Sequence, residues 1–230
     1  MSFADIGILI FILIGIYYGY ENGFVKTIFN FVNIYLAMIV AALLNKPVYN
    51  LMYSILPFHN FENKVLSLNI ILHRVLIYIF ILIIIALFFE RFARKRKLGE
   101  YLLDTAVEAN ILSKILGTFT GILLMFVFSY NLLYFFMIPS VNILKLEDST
   151  LANIVLKNTF VVSNINKKTY ESEIYANKIV KSKKYSVKEK NIRIIKYMID
   201  NDTITTDKVM KLKSKLKINY GDLIKTMYIY

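Results

Sequence analysis

Through residue 140 the chain alternates long apolar runs with short polar breaks. Four runs stand out, at about residues 3–20, 24–44, 66–89 and 111–138. Each approaches or exceeds the ~20 residues that a helix needs to cross a hydrocarbon core ~30 Å thick. They predict four transmembrane helices. Only Glu21-Asn22-Gly23 separates the first two. So short a link predicts a tight antiparallel hairpin, with Gly23 supplying the permissive backbone. Lys46 and Pro47 are expected to end the second span.

The stretches between the spans carry weaker signals. Val48, Leu51, Met52 and Ile55 recur at i, i+3, i+4 and i+7, the pattern of one helix face. That segment is too short to span, so an interfacial helix closed by Pro57 is expected. His73 and Arg74 fall in the first turns of the third run, where Arg74 is expected to snorkel toward the headgroups. Leu98, Leu102, Leu103 and Ala106 suggest a second surface helix before the fourth span, which Pro139 ends.

Beyond residue 140 the pattern changes. The segment 141–230 is polar and Lys-rich, yet it keeps helix signals. Ser186 is a candidate cap for a helix carrying Ile192, Ile195, Met198 and Ile199. Thr205 or Thr206 is a candidate cap for another carrying Val209, Leu212 and Leu216. A core this small needs a partner or a membrane to lean on. The expected architecture is therefore all-α: a polytopic membrane domain over 1–140, with amphipathic interfacial helices, and a small, partly helical tail over 141–230.

Composition agrees with a membrane chain. Hydrophobic residues make up 57% of the 230, against ~45–50% in ordinary soluble domains. The first 25 residues contain Asp5 and no Lys or Arg, and no small-residue cleavage motif follows the first run, so an uncleaved span is expected rather than a signal peptide. Net charge is +12, and most of the excess lies in the tail.

Lysine and arginine in short loops mark the cytoplasmic side. Arg94, Lys95, Arg96 and Lys97 form the densest cluster between spans and are expected to lie inside, where they fix topology and could hold anionic lipid. With four spans, both termini then lie outside. Long segments translocate largely regardless of charge, so the basic tail does not oppose this.

Two rows of small residues are the clearest packing signal. Gly15, Gly19 and Gly23 stand four apart, and so do Ser113, Gly117 and Gly121. Such rows let helix backbones approach closely in lipid, where packing drives association. They predict a helix seam, either within a subunit or in a homo-oligomer. On the second span Lys26, Asn30, Asn33, Ala37 and Ala41 form one stripe. Intramembrane polar groups face the bundle interior or water, so the stripe serves either interhelical hydrogen bonding or a polar path for a solute.

Catalytic chemistry is not expected. The chain has no cysteine and two histidines, His59 and His73, which excludes thiolate nucleophiles and multi-histidine metal sites. Phosphate-binding loops, serine-nucleophile elbows, zinc helices and dinucleotide fingerprints are absent from the sequence. No cofactor or metal is expected. The tail lysines lack the motifs that accompany nucleic-acid binding, so the expected partners are the lipid bilayer and an unidentified membrane or envelope protein.

The run Asp5-Ile6, then Gly15, Gly19, Gly23, Phe24, Val25 and Lys26, resembles the opening of the colicin V production (CvpA) family. The segment Leu112-Ser113-Lys114-Ile115-Leu116-Gly117, with Gly121 following, resembles that family's last membrane helix. The likeness covers about residues 1–140. It implies a bacterial inner-membrane protein linked to colicin V production or export, envelope stress and surface physiology. Members often carry basic residues between the second and third glycines, where this chain has Tyr20, Glu21 and Asn22. Some relatives bear an extracytoplasmic trypsin-like protease after the membrane unit, an orientation that agrees with an outside tail. This tail is too short for that domain and lacks its serine motif. The stretch 192–216 is also similar to short two-helix oligomerisation modules, which are usually cytoplasmic and would put the tail inside.

Overall fold

The computed structural model describes residues 2–61, 64–95, 111–136, 149–217 and 221, with backbone only at 93–95 and 160. The described residues are all-helical. In chain order the helices are α1 (Phe3–Met52), α2 (Leu68–Lys95), α3 (Ile111–Phe136), α4 (Thr150–Asn158), α5 (Phe160–Lys181), α6 (Val187–Asp200), α7 (Thr206–Lys211) and α8 (Lys213–Leu216). Among the described residues, three segments are long and apolar enough to cross a membrane: Phe3–Met52, Leu68–Phe92 and Ile111–Phe136.

Helix α1 contains 50 residues, and a straight helix of that length would run ~75 Å. It is broken at Gly23, where φ is 68° and ψ is 178°, a combination essentially reserved for glycine. The break reverses the chain. Asn30 Nδ2 donates to Tyr18 Oη at 2.6 Å, although twelve residues of unbroken helix would separate the two by ~18 Å. The first N–H after the break is satisfied from outside the helix, by Ser113 Oγ on α3 at 3.2 Å from Phe24 N. Thr27 donates to the Gly23 carbonyl at 2.6 Å.

The second half of α1 does not stop at Pro47, as the sequence suggested. It runs through the proline to Met52, and the buried side chains explain why. Ala37, Ala41, Asn45, Tyr49 and Tyr53 are all buried, four residues apart. Packing along that row outweighs the missing proline N–H. Of the expected interfacial face, Leu51 and Met52 are exposed and Ile55 is exposed in the turn beyond the helix end, whereas Val48 is half-buried against the core.

The outer surface of the helices is apolar. Leu13, Tyr17, Phe80, Phe88, Ile115 and Phe119 are among many large apolar side chains exposed on α1–α3. Contiguous apolar surface on this scale is untenable in water and matches a hydrocarbon solvent. Along the described tail residues the exposed large apolar side chains thin to Ile154, Val161, Ile174 and Val187.

The tail packs on one end of the helical bundle, beside the N-terminus. Ser149 caps α4, and its hydroxyl also donates to Asp5 Oδ1 at 2.5 Å. Ser186 and Glu189 form a capping box at the start of α6, whose Ile194, Ile195 and Met198 are fully buried. Helix α5, 22 residues long, has no counterpart in the hydrophobic pattern. Its buried face is largely polar, with Asn166, Thr169, Ser172, Glu173 and Asn177 all inside. The surface helix expected around Leu98–Ala106 and the stop at Pro139 lie outside the described residues.

Candidate functional site

Gly15 lies against Gly121 and Gly19 against Gly117, where the first half of α1 crosses α3 antiparallel. A methyl group on any of the four would overlap the facing backbone. Gly23 and Ser113 close the row at the chain reversal, through the hydrogen bond from Phe24 N. The two small-residue rows therefore meet each other within one chain. A homo-oligomer built through the same faces would have to open this seam.

The polar stripe divides. Ala37 and Ala41 are buried in the core, while Lys26 is exposed near the reversal. Asn30 and Asn33 line a groove of about 450 Å³ between α1, α2 and α3, together with Tyr18 and Glu90. Its remaining walls are apolar, including Leu87, Leu124 and Phe128. The groove offers hydrogen-bonding amides and a phenol, with a carboxylate beyond them, inside an otherwise greasy layer.

At the opposite end, α1, α2, α3, α5 and the segment after α6 enclose a polar layer that spacing arguments missed. Arg74 is buried, which corrects the expectation that it snorkels. Its Nε donates to Asn45 Oδ1 at 3.2 Å, and its Nη1 donates to the Thr203 carbonyl at 2.8 Å. Asn45 Nδ2 in turn donates to the Arg74 carbonyl at 2.6 Å. The guanidinium also lies 5.9 Å from the Tyr49 ring centre. Neighbouring His73 bonds through Nε2 to the Pro57 carbonyl at 2.8 Å. An inward partner set satisfies Arg74 better than one bulk-facing charge, so the side chain turns in.

Around this layer the aromatic packing is dense. Tyr130 stacks on Tyr134 and Tyr78 meets Tyr134 edge-on, with ring centres 5.7 and 5.3 Å apart. Tyr78 Oη donates to Asn131 Oδ1 at 2.9 Å, and Asn166 Nδ2 of α5 donates to Tyr130 Oη at 3.2 Å. Glu173 of α5 is fully buried, and neither carboxylate oxygen has a hydrogen-bond partner among the described residues. Burial pushes its carboxyl well above the usual carboxylate range, and the charge of Arg74 acts in the opposite direction.

Further polar contacts fasten tail to bundle. Asp5 Oδ1 accepts from Ser149 Oγ and from Leu151 N at 3.1 Å, while its other oxygen accepts from Ser2 N at 2.8 Å. One carboxylate thus caps α1 and α4 together. Ser67 N donates to Asn191 Oδ1 at 2.8 Å. Lys208 donates to Asn50 Oδ1, and Lys215 to the Ser54 carbonyl at 2.7 Å.

The basic cluster is only partly visible. Arg94 and Lys95 belong to the last turn of α2, and Arg96 and Lys97 lie outside the described residues. Among the described residues no group of three His, Cys, Asp or Glu is placed to hold a metal ion.

The sequence profile of the family described as Colicin V production protein matches residues 4–160. No curated protein and no solved structure matches the chain. The matched stretch takes in all three membrane-length helices, the glycine seam, Arg74 and the Asp5–Ser149 clasp. The chain belongs to the colicin V production protein family.

Proposed function

We propose that the chain is a non-enzymatic scaffold or accessory factor of the bacterial inner membrane, serving toxin production or export and envelope physiology. In this reading it crosses the membrane four times. The length of α1 and its reversal at Gly23 support two crossings from that helix, and α2 and α3 supply the others. The reversal and the basic cluster at the end of α2 face the cytoplasm. The N-terminus and the tail face the other side.

The observation that carries the scaffold reading is the buried clasp of Arg74, Asn45 and Thr203. It holds the tail in one fixed pose on the bundle. A rigid head on a membrane anchor suits presentation to a partner in the envelope. Cells lacking the protein are expected to recover bacteriocin export with the wild-type chain and not with Arg74→Met, which loosens the tail while leaving insertion intact. Equal recovery by both would reject the reading.

A second reading rests on the 450 Å³ groove with Tyr18, Asn30, Asn33 and Glu90. In an oligomer it would serve as part of a solute path. Solute flux in proteoliposomes that disappears with Asn33→Leu would favour this transporter or channel, and absence of flux for every solute tried would count against it.

A further inference from the structure

A second cavity, of about 780 Å³, lies where the segment leading into α2 meets the start of α6 and the end of α8. Its floor is apolar: Phe61, Leu66 and Leu216 are all buried. Lys64 and Lys217 line it as exposed cations, and Lys188 adds a third ammonium to the wall. Among the described lining residues there is no acidic side chain. Ser67 N and Asn191 Oδ1, 2.8 Å apart, pin the two walls together.

The backbone adds an independent observation. Three non-glycine residues among those described have positive φ, and two of them are Lys64 at 57° and Lys217 at 52°. Lysine is not favoured in the left-handed region, where glycine and asparagine are the usual occupants. Lys217 is the left-handed residue that ends α8, and at both positions lysine stands where backbone preference alone would favour another residue. Such local strain tends to gather at binding sites.

Position narrows the chemistry. The cleft lies two residues from the start of Leu68–Phe92, one of the membrane-length segments. In the four-crossing arrangement proposed above, that is the level of the lipid headgroups. A greasy floor under a cationic rim suits an amphiphile with an anionic head. We propose that this cleft binds a phosphoryl anion, supplied by the headgroup of an anionic phospholipid. The site is separate from the groove and from the Arg74 clasp, and it would serve a scaffold or a transporter alike.

The test uses the full chain in neutral detergent, with native mass spectrometry to count bound phosphatidylglycerol, phosphatidylcholine and inorganic phosphate. The decisive variant is Lys64→Asn/Lys217→Asn, because asparagine tolerates positive φ and should leave the fold and its melting temperature intact. A matched control, Lys157→Gln/Lys178→Gln, removes two exposed charges from α4 and α5. Wild type should retain one phosphatidylglycerol per chain and bind phosphatidylcholine at least about tenfold more weakly. The asparagine pair should weaken phosphatidylglycerol by about thirtyfold, taking each lysine as worth about fivefold. The control should stay within about twofold, since a diffuse surface charge contributes little. Competition by inorganic phosphate would show that the phosphoryl group is what the cleft holds. Phosphate bound without lipid would keep the anion site and move its source to solution. Unchanged phosphatidylglycerol binding in the asparagine pair, equal loss in the control, or no binding of either anion would overturn the proposal.

Discussion

Gly19 and Gly117 meet backbone to backbone, each occupying the space where the other's side chain would stand. Because hydrophobic association is weak in lipid, this close approach is what holds the first half of α1 against α3. Gly19→Ala should lower stability by about 1–3 kcal/mol through overpacking. Gly7 is the internal control: a Cβ there meets nothing within 4 Å, so Gly7→Ala should be neutral or stabilising by up to ~1 kcal/mol. Thermal unfolding in detergent, followed by circular dichroism, separates the two. Equal behaviour of both variants would rule out the seam.

Asp5 serves two helix starts at once, accepting from Ser2 N and from the Ser149 hydroxyl and Leu151 N. Asp5→Ala should cost about 1–2 kcal/mol and loosen the tail, seen as faster tryptic release of the tail fragment. Asp5→Asn keeps an acceptor and should fall between wild type and Asp5→Ala. Unaltered proteolysis in the alanine variant would mean that the tail is held elsewhere.

Arg74 and Glu173 share the buried layer between bundle and tail, so their variants should be coupled. Arg74→Met should destabilise by about 2–5 kcal/mol, because it leaves the buried Asn45 Oδ1 and the Thr203 carbonyl without their donor. The double variant Arg74→Met/Glu173→Gln should be less destabilised than the two single effects predict when added. Arg74→Lys should not rescue, since one ammonium cannot reach Asn45 Oδ1 and the Thr203 carbonyl with the same fork. Strict additivity in a double-mutant cycle would show that the two side chains act independently.

Glu173 also sets a pH dependence. Its folded-state pKa is raised above the ordinary 4.5 by burial, so the folded chain holds this proton more tightly than the unfolded chain does. The favourable contribution is complete below about 4.5 and is lost as pH rises above it. Glu173→Gln removes the effect. The melting curves of variant and wild type should converge in acid, and the variant should become the more stable as pH rises toward neutrality. Parallel curves across that range would mean that Glu173 does not titrate with folding.

Much of this was legible in the order of apolar and small residues. The glycine rows could be read from spacing alone, and so could Ser186 before α6. The reversal at Gly23 follows from a link too short for anything but a hairpin. The Arg74 layer was hidden for two physical reasons. The stripe Ala37, Ala41 continues at the same interval into Asn45, Tyr49 and Tyr53, but Pro47 suggested a stop that packing overrides. Arg74, near the start of an apolar run, fits a snorkelling pattern as well as a buried one, and only its partner from the distant Thr203 decides. Helix α5 escaped because periodicity arguments count apolar positions, and its buried face carries Asn166, Thr169, Glu173 and Asn177.

In the proposed arrangement the tail and the Gly23 reversal lie on opposite faces of the membrane, with the tail outside. Glu21, beside the reversal, and Lys183, between α5 and α6, are both exposed, and the chain contains no cysteine of its own. Single variants Glu21→Cys and Lys183→Cys would be treated in intact cells with a membrane-impermeant thiol reagent. Position 183 is expected to label in intact cells, and position 21 only after permeabilisation. Labelling of both from one side would contradict the four-crossing arrangement, and the reverse pattern would place the tail in the cytoplasm.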